Sequence, residues 1–442
     1  MRQWLVILLV ALAVNTARAA STAFINVNVV PMSSEVVVAA QTVVVADGVI
    51  VAIGDVDQVP VPEDADIVDG TDRFLMPGLA EMHAHVANDG SENLERDFTL
   101  FVANGVTTVR GMLGRSSHLA LRRQLLEGDR FGPRLFTSGP SLNGNSVSGP
   151  ADGARMARAQ HAAGYDLIKI HPGLSNEEFM AIASAANELG MPFAGHVPVA
   201  VGVENALSVN MATIDHLDGY LAALLPANAD PSGGYGGFFD VLIADQVIEG
   251  RIAEIARRTA AAGTWNVPTQ SLFEHRVGEI SVADLRNRPE MQYMPRSTVD
   301  QWVRSKEQQL SERGFSAAIA ARAIDIRRQL ILALHRAGAG LLLGSDAPQV
   351  FNVPGYSLHH ELGYLVAAGL TPFEALQTGT TAAAEFLGSN TGTVAIGREA
   401  DLILLDADPL SDIDNVGRIH GVMLRGHWYR SAELEKRLSA YK

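Results

Sequence analysis

Cysteine is missing from all 442 residues. No disulfide can form, no thiolate can serve as a nucleophile, and any bound metal must be held by nitrogen and oxygen. Positive charge is also scarce: 34 Lys and Arg stand against 49 Asp and Glu, a net charge of −15, and no long basic run occurs. Nucleic acid and anionic membrane are therefore not expected as partners. Long apolar runs are lacking too. Beyond the first residues, none reaches the roughly 20 residues that cross a bilayer, so no membrane anchor is expected. Residues 1–19 read as a secretory signal, with Arg2, the apolar stretch from Trp4 to Val14, and Ala17-Arg18-Ala19 as the small-x-small cleavage site. On that reading the protein is exported, periplasmic or secreted, and soluble.

What is present organises into three parts. From Ala23 to about Val56 the chain alternates in short β-type runs, Phe24 to Val30 and Glu35 to Val38, with Asp47-Gly48 as a hairpin signal. The tail reads similarly, in Gly392-Thr393-Val394, Ala400 to Leu405 and Gly421 to Gly426. Neither end makes a stable sheet alone, so residues 20–74 and 392–442 are expected to combine into a small β-sandwich domain. Between them, residues 75–391 alternate strand-like runs with helical stretches. Eight strands are expected, beginning near Leu79, Val106, Arg134, Asp166, Pro192, Ala212, Thr264 and Leu341, with capping boxes at Ser175/Glu178 and Thr371/Glu374. This is the pattern of an α/β fold, a (β/α)8 TIM-type barrel.

Six residues able to bind metal fall near the ends of these strands: His83, His85, Lys169, His196, His216 and Asp346. His83 and His85 lie two apart after an apolar strand, so both imidazoles reach one face. Lys169 sits in the apolar run Asp166 to His171, where a lysine needs a reason. The other three each close a short apolar run. Barrel active sites lie at the C-terminal strand ends. Imidazole and carboxylate suit zinc or a similar divalent ion. An ammonium has no lone pair, so Lys169 can join them only deprotonated or as a carbamate.

At this point the chain resembles the amidohydrolase superfamily, in its imidazolonepropionase-like branch with the metal-dependent Xaa-Pro dipeptidases. The motifs are Met76-Pro77-Gly78-Leu79 leading to His83-x-His85, Gly105 to Arg110, the Lys169 strand, Gly195-His196, Asp215-His216-Leu217, Gly344-Ser345-Asp346 and Gly397 to Ile403. The resemblance implies a binuclear centre. His83, His85 and Asp346 would hold one ion and His196 and His216 the other, with Lys169 carboxylated by carbon dioxide and bridging both beside a hydroxide. It further implies hydrolysis of a C–N amide bond, in a dipeptide or an N-acyl or N-aroyl amino acid, with Asp346 as acid/base. A lactone, cyclic amide or phosphoester hydrolase with the same centre, a mononuclear deaminase and a non-catalytic binding barrel are the alternatives.

Substrate contacts are expected from His171, which shares the inward face of Lys169, from Tyr220 after strand six, from Arg110 at the end of strand two and from Gln270 at the end of strand seven. Two glycine-bearing loops, residues 143–150 and 230–239, are expected to close over the site, the second with Tyr235, Phe238 and Phe239. The partner is a small-molecule amide or peptide; a homo-oligomer is left open.

Overall fold

The computed structural model describes residues 21–226, 229 and 236–442. The 1–19 signal segment and residues 230–235 of the second loop, Tyr235 included, lie outside the described residues.

The two ends of the chain meet in one sheet. Its N-terminal strands are β1 (Ser21–Val29), β2 (Val38–Ala46), β3 (Val49–Asp55), β4 (Asp66–Asp69) and β5 (Phe74–Pro77). The central strands are β6 (Leu79–Ala84), β7 (Val106–Gly111), β8 (Arg134–Thr137), β9 (Ile168–Ile170), β10 (Phe193–Gly195), β11 (Thr213–Asp215) and β12 (Trp265–Val267), and the tail adds β13 (Leu402–Leu405), β14 (Ile419–Leu424) and β15 (His427–Arg430). Strand order in the terminal sheet is β15-β14-β13-β5-β1-β2-β3, with β4 beside β1. Asp47 and Gly48 turn the β2–β3 hairpin with φ of 52° and 74°, the left-handed backbone a two-residue connection requires. The run Gly392-Thr393-Val394 forms no strand.

The expected sandwich of two sheets is, among the described residues, a single eight-stranded sheet. It covers its own face by curling. Phe24 on β1 and Trp428 on β15 stand four strands apart in the order, which in a flat sheet is nearly 20 Å, yet their rings meet edge to face at 5.1 Å. The right-handed twist of strands, accumulated across the sheet, permits this. Val27, Val43, Leu75, Leu402 and Leu404 fill the space so enclosed.

The central strands run parallel in sheets of four, β12-β11-β10-β9, and three, β6-β7-β8. The expected eighth strand is not a regular one. Leu341 touches Asn266, and Ala347 touches Ala84, as isolated parallel bridges, and Ser138 bridges Leu167 between β8 and β9. Around Asp346 the backbone turns to φ 62°, which breaks the ladder at the point where the side chain is needed. The strands are short and buried on both faces, as parallel strands covered by helices must be.

Helices complete the layer. Ser175 and Glu178 close both halves of a capping box on the helix Asn176–Leu189, whose Phe179 and Ile182 are fully buried. The phenyl ring of Phe179 meets Phe193 of β10 at 5.9 Å. The helix Ala317–Arg336, capped by Ser316, buries Ile319, Ala323, Ile326 and Leu330 at the three- and four-residue spacing of one helical face. Each buried isoleucine or leucine there contributes roughly 2 kcal/mol. No helix among the described residues is long and apolar enough to cross a membrane.

The terminal sheet bears directly on the first central strand. β5 pairs with β13 from the tail, and after Gly78 the chain continues as β6, which carries His83. Arg134 ties β8 to the same sheet through ion pairs with Glu399 and Asp401.

Candidate metal centre

The strand-end residues converge. His83 Nε2 lies 3.6 Å from Asp346 Oδ1, and His85 Nε2 lies 3.1 Å from the same oxygen. One ligand atom from each of these three falls within 4.8 Å of the others. Lys169 Nζ is 3.3 Å from His83 Nε2. His216 stacks 4.5 Å from His83, and His196 lies 4.6 Å from His216. His171 stacks on the outer face of His196 at 4.9 Å. All seven are buried or half-buried.

The local backbone explains how they meet. Strand periodicity alone would turn His216 away from Asp215, but His216 and Leu217 adopt φ of 64° and 52°. Such left-handed residues with a Cβ cost roughly 1–2 kcal/mol each and persist where surrounding packing enforces them. Gly195, before His196, has φ 122°, and a Cβ there would stand 2.8 Å from Lys169 Cδ; only glycine leaves room for the lysine stem.

Three of the imidazoles have Nδ1 close to a carboxylate or hydroxyl oxygen. His196 Nδ1 is 3.0 Å from Asp218 Oδ2, and His216 Nδ1 is 2.9 Å from Thr269 Oγ1. His83 Nδ1 lies 2.8 Å from Asp215 Oδ2, in ion-pair range though outside hydrogen-bond alignment. A ring lone pair facing a carboxylate that closely would be repelled, so the proton belongs on Nδ1. Metal-binding histidines are typically oriented in this way by a carboxylate or hydroxyl behind them. Asp215, Asp218 and Thr269 have roles that sequence reading did not assign. The signal available was a pair of carboxylates bracketing His216 within four residues.

Electrostatics favour the uncharged ligand forms. Burial holds His83, His196 and His216 well below the ordinary histidine range and His85 down to about 3, with Lys169 adding to the effect. Burial also lowers the Lys169 amine to about 8, against the opposing pull of Asp215 and Asp346. It raises the Asp346 carboxyl well above its usual range, an effect that Lys169 partly offsets. Neutral imidazoles and an accessible neutral amine are what metal binding and carbamate formation require. Asp346 Oδ1 is buried without a hydrogen-bond partner. An orphaned carboxylate oxygen between two imidazole Nε2 atoms fits a divalent cation.

Three of the expected substrate contacts are buried and bonded to other parts of the protein. Arg110 is fully buried; its Nε donates to the Met82 carbonyl at 2.6 Å, and Nη2 pairs with Asp215 at 3.4 Å. Tyr220 is fully buried, its hydroxyl donating to Asn266 at 2.8 Å and lying 3.0 Å from Thr259. Gln270 accepts from Arg327 at 2.9 Å and donates to Glu274 at 3.1 Å. Each is fully buried with its side-chain polar atoms hydrogen-bonded within the protein. His171 alone keeps a partly open ring. Within the loop 143–150 the Asn143 side chain accepts from the backbone of Asn145 and Ser146 at 2.8 and 3.1 Å, and Gly144 N–H donates to the Pro172 carbonyl at 3.2 Å.

The profile of the amidohydrolase family matches residues 74–429. Ochratoxinase from Aspergillus niger is 23% identical over 369 residues, covering 77% of this chain and 71% of the relative. Among solved structures, a bottromycin amidohydrolase superposes with a TM-score of 0.74 at 24% identity, over 95% of this chain and 90% of that one. An Xaa-Pro dipeptidase with bound methionine gives 0.66 at 20% identity, over 93% of this chain and 100% of that one. At these identities the likeness speaks for the fold, a TIM-barrel-type α/β architecture.

Proposed function

The chain belongs to the amidohydrolase family, a hydrolase acting on C–N bonds, and from that premise we propose that it cleaves the amide of a dipeptide or of an N-acyl or N-aroyl amino acid at a binuclear metal centre. His83, His85 and Asp346 would hold one ion and His196 and His216 the other, with Lys169, carboxylated, between them. A divalent metal such as zinc, which these nitrogen and oxygen donors suit, would supply Lewis acidity toward the carbonyl and lower the pKa of water toward neutrality.

The chain's own residues supply the rest. Asp215 and Asp218 favour the Nδ1-protonated tautomer of His83 and His196, and Thr269 orients His216 through its Nδ1. Asp346 is the proton carrier, taking the proton from the attacking water and passing it to the departing nitrogen, the task of a general acid/base. Phe239, stacked on His216 at 4.9 Å, excludes water from one flank.

The observation that carries the proposal is the unpartnered Asp346 Oδ1 facing His83 and His85. The test is metal content per chain in full-length protein prepared with bicarbonate, followed by a screen of dipeptides and N-acyl amino acids. About two ions with amide turnover supports it. One ion that Lys169→Ala does not change favours mononuclear chemistry, and a metal-loaded protein that cleaves lactones or phosphoesters but no amide overturns the choice of bond.

A further inference from the structure

The segment after residue 235 enters the site with two phenylalanines. Phe239 stacks on His216 at 4.9 Å with 14° between planes, and on His196 at 6.2 Å with 25°. Phe238 lies 4.2 Å from Phe239 and stacks 6.2 Å from Phe273. The Arg276 guanidinium covers Phe238 at 4.2 Å, and that of Arg327 covers Phe273 at 4.3 Å. An aromatic row thus runs from the imidazoles through Phe239 and Phe238 to the buried Phe273, backed by cations.

We propose that Phe239, supported by Phe238 and Phe273, forms a subsite that receives a planar apolar group flanking the scissile bond. Three observations carry this. Phe239 and Phe238 are only half-buried, whereas Phe273 behind them is fully buried; rings that served packing alone would be covered. The backbone holds Phe239 in place at an intrinsic cost, for Phe239 and Asp240 both take left-handed conformations, φ/ψ 47°/48° and 63°/20°, that residues with a Cβ disfavour. The segment is anchored by Leu242 N–H to the Gly236 carbonyl at 2.9 Å and by buried Val241 and Ala244, so the ring is presented. His171 stacks on His196 at 4.9 Å and adds a polar ring to the same row. Offset stacking on Phe239 selects a phenyl or similar ring over a methyl group.

The inference rests on the amide-hydrolase reading, and two assays separate them. The first measures kcat/KM of metal-loaded wild type, Phe239→Ala and Phe239→Tyr on N-acetylglycine, N-benzoylglycine, N-acetylphenylalanine and N-benzoylphenylalanine. The preference for a benzoyl or a phenylalanyl group over its small counterpart should fall about tenfold in the alanine variant and return in the tyrosine variant. Equal loss on all four substrates overturns the subsite. The second titrates the same proteins with benzamide and acetamide, which reads binding without turnover. A benzamide preference lost in Phe239→Ala supports the subsite even if no substrate of the four is cleaved, an outcome that would sink the choice of substrates alone; equal binding in both proteins overturns it. Thermal midpoints and metal content of the variants show whether they fold.

Discussion

Replacing Asp215 with asparagine isolates the part of the centre that touches no substrate. Asp215 is fully buried. Its Oδ1 accepts from Thr213 Oγ1 at 2.6 Å and pairs with Arg110 Nη2 at 3.4 Å; its Oδ2 faces His83 Nδ1 at 2.8 Å and Lys169 Nζ at 3.9 Å. Asparagine has nearly the same volume, so no cavity opens, but the negative charge between Arg110 and Lys169 is gone. Leaving one partner of a buried pair uncompensated costs about 3–5 kcal/mol; the amide oxygen can still accept from Thr213 or Arg110, so the low end of that range is expected. A second effect falls on the metal. An amide NH2 turned toward His83 Nδ1 makes that nitrogen an acceptor and moves the ring proton to Nε2, the atom nearest Asp346. Loss of such an orienting partner lowers metal affinity about 10- to 100-fold. Zinc affinity by competition with a chromophoric chelator, beside urea unfolding, reads the two effects separately. Asp401→Asn is the control: Asp401 is also buried and accepts from the Arg425 backbone at 2.7 Å, but lies in the terminal sheet, so it should lower stability and leave zinc affinity alone. Wild-type zinc affinity in Asp215→Asn, or an equal drop in the control, would refute the reasoning.

Three further substitutions test the assignments. Asp346→Asn should abolish amide turnover while the unfolding transition stays cooperative; retained turnover removes Asp346 from the chemistry. Lys169→Ala should lower the metal bound per chain, and native mass spectrometry of the wild type should show an added carbon dioxide that the variant lacks; identical metal content in the two proteins contradicts a bridging lysine. Tyr220→Phe strips the hydroxyl shared by Asn266 and Thr259 and should cost about 1–3 kcal/mol of stability with KM unchanged, whereas a raised KM at unchanged stability would return Tyr220 to the substrate.

The residues that sequence reading found easily were those that violate their surroundings. Lys169 stands out because a charge on an apolar strand is anomalous, and His83-x-His85 because a period of two puts both rings on one face. Arg110, Tyr220 and Gln270, expected at the substrate, are buried among internal partners for one shared reason. A strand-end position gives the level along the barrel, but not whether the side chain reaches up to the mouth or down into the layer below. That depends on partners distant in the chain, Asp215, Asn266 and Arg327, which no local pattern reveals. Asp218 and Thr269 escaped because the backbone leaves strand geometry at His216 and Thr269, with φ of 64° and 47°, so periodicity stops where the second layer begins. The single curled sheet escaped too, since alternation specifies a buried face without saying what covers it.

The burial that makes the imidazoles good ligands is the same burial that makes Asp346 reluctant to carry a charge. It keeps His83, His196 and His216 neutral and lowers Lys169 toward deprotonation, while raising the proton affinity of Asp346. Without a cation these demands conflict, because a neutral lysine no longer stabilises the Asp346 carboxylate. A divalent ion resolves the conflict: it replaces the ammonium as the counter-charge and accepts the lone pairs that burial has exposed. The unpartnered Asp346 Oδ1 and the left-handed backbones of His216 and Asp346 are therefore destabilising features of the protein alone that the proposed metal would offset. Ligand linkage would then tie folding to metal, by about 2.7 kcal/mol at a free concentration a hundredfold above Kd. On the proposed reading, catalytic geometry and metal-dependent stability would follow from one arrangement of buried groups.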